Sequence, residues 1–83
     1  MFPDGHWQTA VAESILGDCL TRMERFQEAE PMLLESYRFL YEHQGANSLH
    51  SLAALERLIR FYTANGDPAA ANRFRKLGEG DTR

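Results

Sequence analysis

Three histidines, one cysteine and a run of glutamates are the side chains of this 83-residue chain with the greatest chemical capacity. A metal centre on a helix needs two ligands on one face, most simply His at i and i+4. His6, His43 and His50 are not paired that way, and no cysteine or carboxylate completes a ligand set with them. They read as surface or helix-end residues. Cys19 is alone, so neither an intrachain disulfide nor a thiolate cluster is available. No Lys, Arg or His flanks it to stabilise a thiolate, and it reads as a small packed apolar residue. Glu28, Glu30 and Glu35 have the look of paired carboxylates, but acid near a helix N-terminus is ordinary pairing with the macrodipole. A Gly-rich phosphate loop, a nucleophile–base pair and a nucleotide motif are all lacking. The reading assigns no catalytic, cofactor or metal residue, and an enzyme is not expected.

Composition narrows the remaining classes. Nine basic against twelve acidic residues give a formal charge of −3, unfavourable for a phosphate backbone, and no basic stripe offsets it. Nucleic acid is therefore not an expected partner. Apolar residues make up 43% and charged ones 25%, ordinary globular values that argue against disorder. No apolar run approaches the ~18 residues of a membrane span, and Met1-Phe-Pro-Asp-Gly lacks the charged and apolar parts of a signal peptide. The expectation is a cytoplasmic protein with no membrane partner, one small domain over residues 1–83.

Periodicity predicts four helices. From about Trp7 to Met23, Ala12, Leu16, Cys19, Leu20 and Met23 recur on one face, with Val11 and Ile15 as a second stripe. Gly17 inside this helix costs about 1 kcal/mol relative to Ala, which suggests close approach of a neighbouring helix. A second helix, about Arg25 to His43, lines up Phe26, Ala29, Leu33, Ser36, Tyr37 and Leu40, with Pro31 early in its course and Gly45 as the stop. Leu34, Phe39 and Tyr41 fall off that stripe and are expected to pack against the second half of the chain. A third helix, about Leu49 to Ala64 and capped by Asn47 or Ser48, turns Leu55, Leu58, Ile59 and Tyr62 inward. Gly66-Asp67-Pro68 reads as stop, cap and first helical residue of a fourth helix that uses Ala71, Phe74 and Leu77 and ends at Gly78. The linkers within each pair are short, so paired helices must run antiparallel.

The two pairs repeat at an offset of 42 residues when Thr9–Ser36 is laid over Ser51–Gly78. Ala12 then falls on Ala54, Leu16 on Leu58, Thr21 on Thr63 and Ala29 on Ala71, while Leu20 meets Tyr62 and Met32 meets Phe74. A unit of this length cannot bury its apolar face alone, so duplication implies stacking.

Leu16-Gly17, Leu20, Phe26 and Ala29, followed by Leu58, Tyr62, Gly66 and Ala71, resemble the tetratricopeptide repeat. The 42-residue spacing is similar to the long variant of kinesin light chains, as is the run Arg25-Phe-Gln-Glu-Ala-Glu-Pro-Met-Leu-Leu34. His6 to Leu77 is similar to the C-terminal repeats of bacterial serine/threonine kinases. The resemblance implies an all-α fold of two antiparallel helix-turn-helix repeats, a piece of right-handed solenoid. Repeat one would span about 6–44, repeat two about 48–77, and 78–83 would form a flexible tail.

The same resemblance implies a scaffold that binds a protein or peptide in a concave groove lined by the first helix of each unit. The matching positions are Val11, Ser14, Asp18, Thr21 and Arg22, then Ala53, Glu56, Arg60, Thr63 and Ala64. Of these, Val11, Ser14, Asp18, Arg22, Glu56 and Arg60 form the expected partner-binding set. The family's carboxylate clamp is not carried over, because Ser14, Asp18 and Arg57 stand where Lys and Asn are needed. The asparagine pair of the kinesin light chain variant is likewise replaced, by Ser14-Ile15 and Glu56-Arg57. Glu24 stands where a glycine is expected between helices, Glu13 at an apolar site, Pro68 at an aromatic one and Arg75 at another apolar one. Trp7, Val11 and Ile15 read as a surface awaiting another repeat. With two units where about three are usual, the expectation is a two-fold homodimer through that patch. The alternatives to a peptide scaffold are a structural, oligomerising unit or a C-terminal fragment of a larger repeat-bearing kinase.

Ala29 and Ala71 are expected at the close contact between paired helices, where a larger side chain overpacks at a cost of ~1–3 kcal/mol. Replacing Ala29 with Leu is therefore expected to lower the melting temperature sharply. An unchanged thermal unfolding curve would place the register elsewhere.

Overall fold

The computed structural model describes residues 7–79, so His6 and residues 80–83 of the expected tail lie outside it. The described residues form four α-helices and no strand: α1 (Trp7–Arg22), α2 (Phe26–Gln44), α3 (Leu49–Ala64) and α4 (Pro68–Glu79). The fold is all-α, as the periodicity requires. Ala10 near the start of α1 packs with Leu40 near the end of α2, and Gly17 lies against Leu33 and Ala29, so these two helices run antiparallel. Leu55 against Gly78 and Tyr62 against Phe74 give the same sense to α3 and α4. The layer is thin, with principal extents of 35 × 33 × 15 Å.

The face that α1 buries differs from the one its large side chains suggested. Ala10, Ser14, Gly17, Asp18 and Thr21 point inward, while Ala12, Ile15, Leu16, Cys19 and Met23 are exposed. The cause is the close passage of α2. A Cβ added at Gly17 would sit 2.7 Å from Leu33 Cγ and 3.5 Å from the Ala29 carbonyl oxygen. With backbones that near, only small residues fit the seam, and Leu33 fills it from the other side. Ala29 and Leu33 are both wholly buried there.

Helix α2 keeps the expected stripe: Ala29, Leu33, Ser36 and Leu40 are buried, with Phe26 and Tyr37 packed against the core. Leu34 and Phe39 are half-buried, whereas Tyr41 remains exposed. Helix α3 buries Leu55, Leu58 and Tyr62 as expected, adds Ser51, Ala54 and Phe61, and leaves Ile59 half-buried. Phe61 meets Phe26 edge-on at 5.8 Å, and Tyr62 stacks on Phe74 at 5.5 Å. The Tyr62 hydroxyl donates to Glu30 Oε2 at 2.7 Å. Burial first, and then that hydrogen bond, raise its phenol above the ordinary tyrosine range.

The turns are built alike, 42 residues apart. The Arg25 amide donates to Leu20 O (2.9 Å) and the Glu24 amide to Thr21 O (3.0 Å). At the end of α3, the Asp67 amide donates to Tyr62 O (2.8 Å) and the Gly66 amide to Thr63 O (3.3 Å). Each pair of bonds is a Schellman closure, which needs a left-handed residue just past the helix. Gly66 supplies φ 79°, and Glu24 is held at φ 63°. Ser48 and Asp67 then cap α3 and α4 through the amides of Ser51 (3.1 Å) and Ala70 (3.2 Å).

Helix α4 does not stop at Gly78. It continues to Glu79, and a Cβ at Gly78 would lie 2.7 Å from Leu55 Cδ2, so this glycine serves close approach of α3 and not termination. Leu77, expected inside, is 50% exposed because Phe74 and Ala71 already fill the face toward α3.

Glu24 carries the left-handed penalty of ~1–2 kcal/mol that a glycine escapes, against a glycine's own ordering cost of roughly 0.5–1 kcal/mol. Glu24→Gly is expected to stabilise the chain by about 0.5–1 kcal/mol and to raise Tm by roughly 2–6 °C. A Tm at or below that of the parent in calorimetry would count against the strain.

Candidate functional site

Helices α1 and α3 lie side by side and parallel, joined by a ladder of contacts nearly one repeat apart. Trp7 stacks on His50 with ring centroids 4.6 Å apart. Arg57 Nη1 donates to Ser14 Oγ at 3.1 Å, and Arg60 Nη2 to Asp18 Oδ2 at 3.4 Å. Arg22 Nη2 reaches the same Oδ2 at 3.1 Å from one turn along α1. The Asp18 side chain is only 12% exposed, whereas those of Arg22 and Arg60 are 73% and 53% exposed. One nearly buried carboxylate oxygen thus holds two guanidinium groups whose outer edges face solvent.

Beside this cluster is an open hollow of about 440 Å³ lined by α1, α3 and α4. Its walls carry Asp18, Thr21, Arg22, Ile59, Arg60, Thr63 and Arg75, with Ala64 at the edge. Thr21 and Thr63 turn their hydroxyls back to the carbonyls of Gly17 and Ile59, both at 2.8 Å, which leaves their methyl groups to line the wall. Arg75, which donates to Asn72 Oδ1, brings a third guanidinium to a lining that holds one carboxylate, so the wall is positive in a chain whose formal charge is −3.

The expected partner-binding residues separate into three groups. Asp18, Arg22 and Arg60 come together in this hollow. Val11 and Ser14 lie in the seam: Val11 packs on the Ala10, Leu40 and Ala54 cluster, and Ser14 is wholly buried under Arg57. Ser14 thus offers no contact surface, because its hydroxyl is consumed in joining α1 to α3. Glu56 lies one turn before Arg60 on the same face of α3, in a groove nearer the start of that helix shared with Leu49, Leu52, Ala53, Leu55, Ile59 and Gly78. Sequence reasoning passed over Arg57 and Arg75 as contributors. Arg57 lies one turn before Arg60 on the same face, and Arg75 is a charge at an expected apolar position. Both were visible signals.

Of the residues expected to mediate self-association, Trp7 stacks on His50 and stays 38% exposed, Ile15 is 47% exposed, and Val11 is half-buried against the Ala10, Leu40 and Ala54 cluster. A third hollow, about 490 Å³, lies between α2 and α4 and is lined by Leu34, Glu35, Tyr37, Arg38, Tyr41, Glu42 and Leu77. Burial, then the neighbouring Tyr41, raises the Tyr37 phenol there. Among the described residues no cluster of three His, Cys, Asp or Glu is placed to hold a metal ion, and no helix is long and apolar enough to cross a membrane. No family model, no curated protein and no solved structure matches the chain.

Asp18→Ala removes the acceptor on which two arginines depend and is expected to cost roughly 1–2 kcal/mol. Arg22→Ala breaks a mostly exposed pair worth at most about 1 kcal/mol. Thermal unfolding of the two variants side by side is the check, and equal losses would remove Asp18 from its bridging role.

Proposed function

We propose that this chain is a protein–protein interaction module that holds an extended, acidic segment of its partner in the hollow between α1, α3 and α4. The observation that carries the reading is the sharing of Asp18 by Arg22 and Arg60 with Arg75 opposite, which leaves guanidinium edges turned outward. Guanidinium groups present paired donors that match a carboxylate. Arg22 and Arg60 are already held by Asp18, so less side-chain freedom is lost on binding than from unrestrained arginines. The methyl-bearing walls of Thr21, Thr63 and Ile59 suit the aliphatic stems of Glu or Asp. The tetratricopeptide resemblance of Leu16-Gly17, Phe26, Ala29, Gly66 and Ala71 points the same way, since such repeats bind segments along the equivalent surface.

Fluorescence anisotropy with labelled acidic, neutral and basic peptides of equal length tests the reading. The acidic peptide is expected to bind preferentially and to weaken as salt shortens the Debye length below ~10 Å. Reversing Arg22 and Arg75 to Glu, with Arg60 and Asp18 left in place to preserve the seam, is expected to weaken it about five- to thirtyfold, from exposed pairs worth ~0.5–1 kcal/mol each. Equal binding of all three peptides would overturn the proposal.

A further inference from the structure

The repeat register assigns a use to two apolar surfaces that the acidic-segment hollow does not employ. The first is the outer face of α1, where Ala12, Leu16 and Cys19 are exposed. Forty-two residues on, their counterparts are Ala54, Leu58 and Phe61, and all three are wholly buried. Ala54 packs on Ala10 and Leu40, and Phe61 on Phe26, so this is the face by which α3 seats on the first helix pair. Helix α1 carries the same docking face, on which none of the described residues packs, and Ile15 and Met23 extend it.

The second surface is the groove of about 460 Å³ between α3 and α4, lined by Leu49, Leu52, Ala53, Leu55, Glu56, Ile59 and Gly78. Moved back by one repeat, Leu52, Glu56, Ile59 and Gly78 correspond to Ala10, Ser14, Gly17 and Ser36. Those four are buried in the first pair, where Ala10 packs with Ala54 and Ser14 bonds to Arg57. The groove is thus the second pair's version of the seat that receives α3. Its rim is apolar, with Leu49 79% exposed.

We propose that a second copy of this chain fills that groove with the outer face of its α1, so that molecules stack head to tail. Charge supports the register. Inside the molecule, Arg60 of the seated helix pairs with Asp18 of the receiving one at 3.4 Å, and residues 18 and 60 are one repeat apart. In the stack the receiving position is Arg60 and the seated position is Asp18, so the same opposite charges meet with their roles exchanged. A two-fold pairing of α1 on α1 would instead leave the α3–α4 groove open on both copies. Two different patches on one molecule make a heterologous contact, which closes into a ring or continues as an open stack according to its rotation and is not limited to a dimer. The proposal stands whether or not the hollow binds an acidic segment.

Sedimentation of the 83-residue chain across micromolar to submillimolar concentrations is the test, with folding checked by circular dichroism. The weight-average mass is expected to rise from the 9.5 kDa monomer past twice that value. Leu16→Glu spoils only the docking face and Leu52→Glu only the groove, so each variant alone is expected to stay monomeric. Mixed one to one, each supplies the surface the other lacks, and the mixture is expected to stop at a dimer. A parent chain that remains monomeric, a Leu52→Glu variant that still dimerises, or a mixture that stays monomeric would each overturn the proposal.

Discussion

The approach of α2 to α1 at Gly17 is the constraint from which the rest of the molecule follows. Leu33 occupies the space that any Cβ at position 17 would need. That contact orients α1 about its axis, and the orientation distributes every other residue of the helix. Ser14 and Asp18 turn toward α3, where Arg57 and Arg60 reach them. Arg22 comes to the open side of the same seam. The large apolar residues, Ile15, Leu16 and Met23, are left on the outside. A rotation of α1 by one residue position, about 100°, would bury Leu16 and dissolve both the arginine cluster and the outer docking face.

Much of this was legible in the chain, for reasons that can be named. Gly66-Asp67-Pro68 wrote its turn plainly because each residue has a conformational duty there: left-handed backbone, cap and first helical φ. The α2 stripe was readable because that helix buries its large side chains, so hydrophobic periodicity and burial coincide. In α1 they do not. The rule that apolar residues face inward assumes that enough inward surface exists, and a helix at the exposed end of a thin layer has little. The small residues Ala10, Ser14 and Gly17 carried the true signal, since size at a close seam matters more than polarity. Gly78 misled for a related reason. A glycine after a helical run reads as a stop, but here it admits Leu55 across the α3–α4 seam.

The candidate site was legible in part. Asp18, Arg22 and Arg60 were placed in the groove by resemblance, and the structure brings these three together. Ser14 was placed with them by the same resemblance and is wholly buried beneath Arg57. No single-sequence pattern predicts that burial, because it depends on where a side chain 43 positions away comes to rest. Glu56 shares the Arg60 face of α3, but a turn earlier, where that face looks into the groove beside Gly78. Helical spacing says which residues share a face, and only the neighbouring helix decides which space that face looks into.

The two proposed surfaces are distinct but adjoining. The hollow draws on Asp18, Arg22, Arg60 and Arg75, while the stacking faces draw on Ala12, Leu16 and Cys19 in one copy and Leu49, Leu52 and Ala53 in the next. Ile59 lines both the hollow and the α3–α4 groove, and Asp18 and Arg60 serve both the hollow and the stacked seam. A helix seated in the groove would press on Ile59 and narrow its range of rotamers, and a segment in the hollow would do so from the opposite side. Whichever event comes first bears part of the ordering cost of the second, which makes the coupling through Ile59 favourable in sign. Linkage then requires that each strengthen the other by the same factor. The part carried by Ile59 is small, of the order of the ~0.5–1 kcal/mol of rotamer freedom an isoleucine loses on burial. Arg60 opposes it, because a guanidinium turned to the next copy's Asp18 is less available to an acidic segment in the hollow.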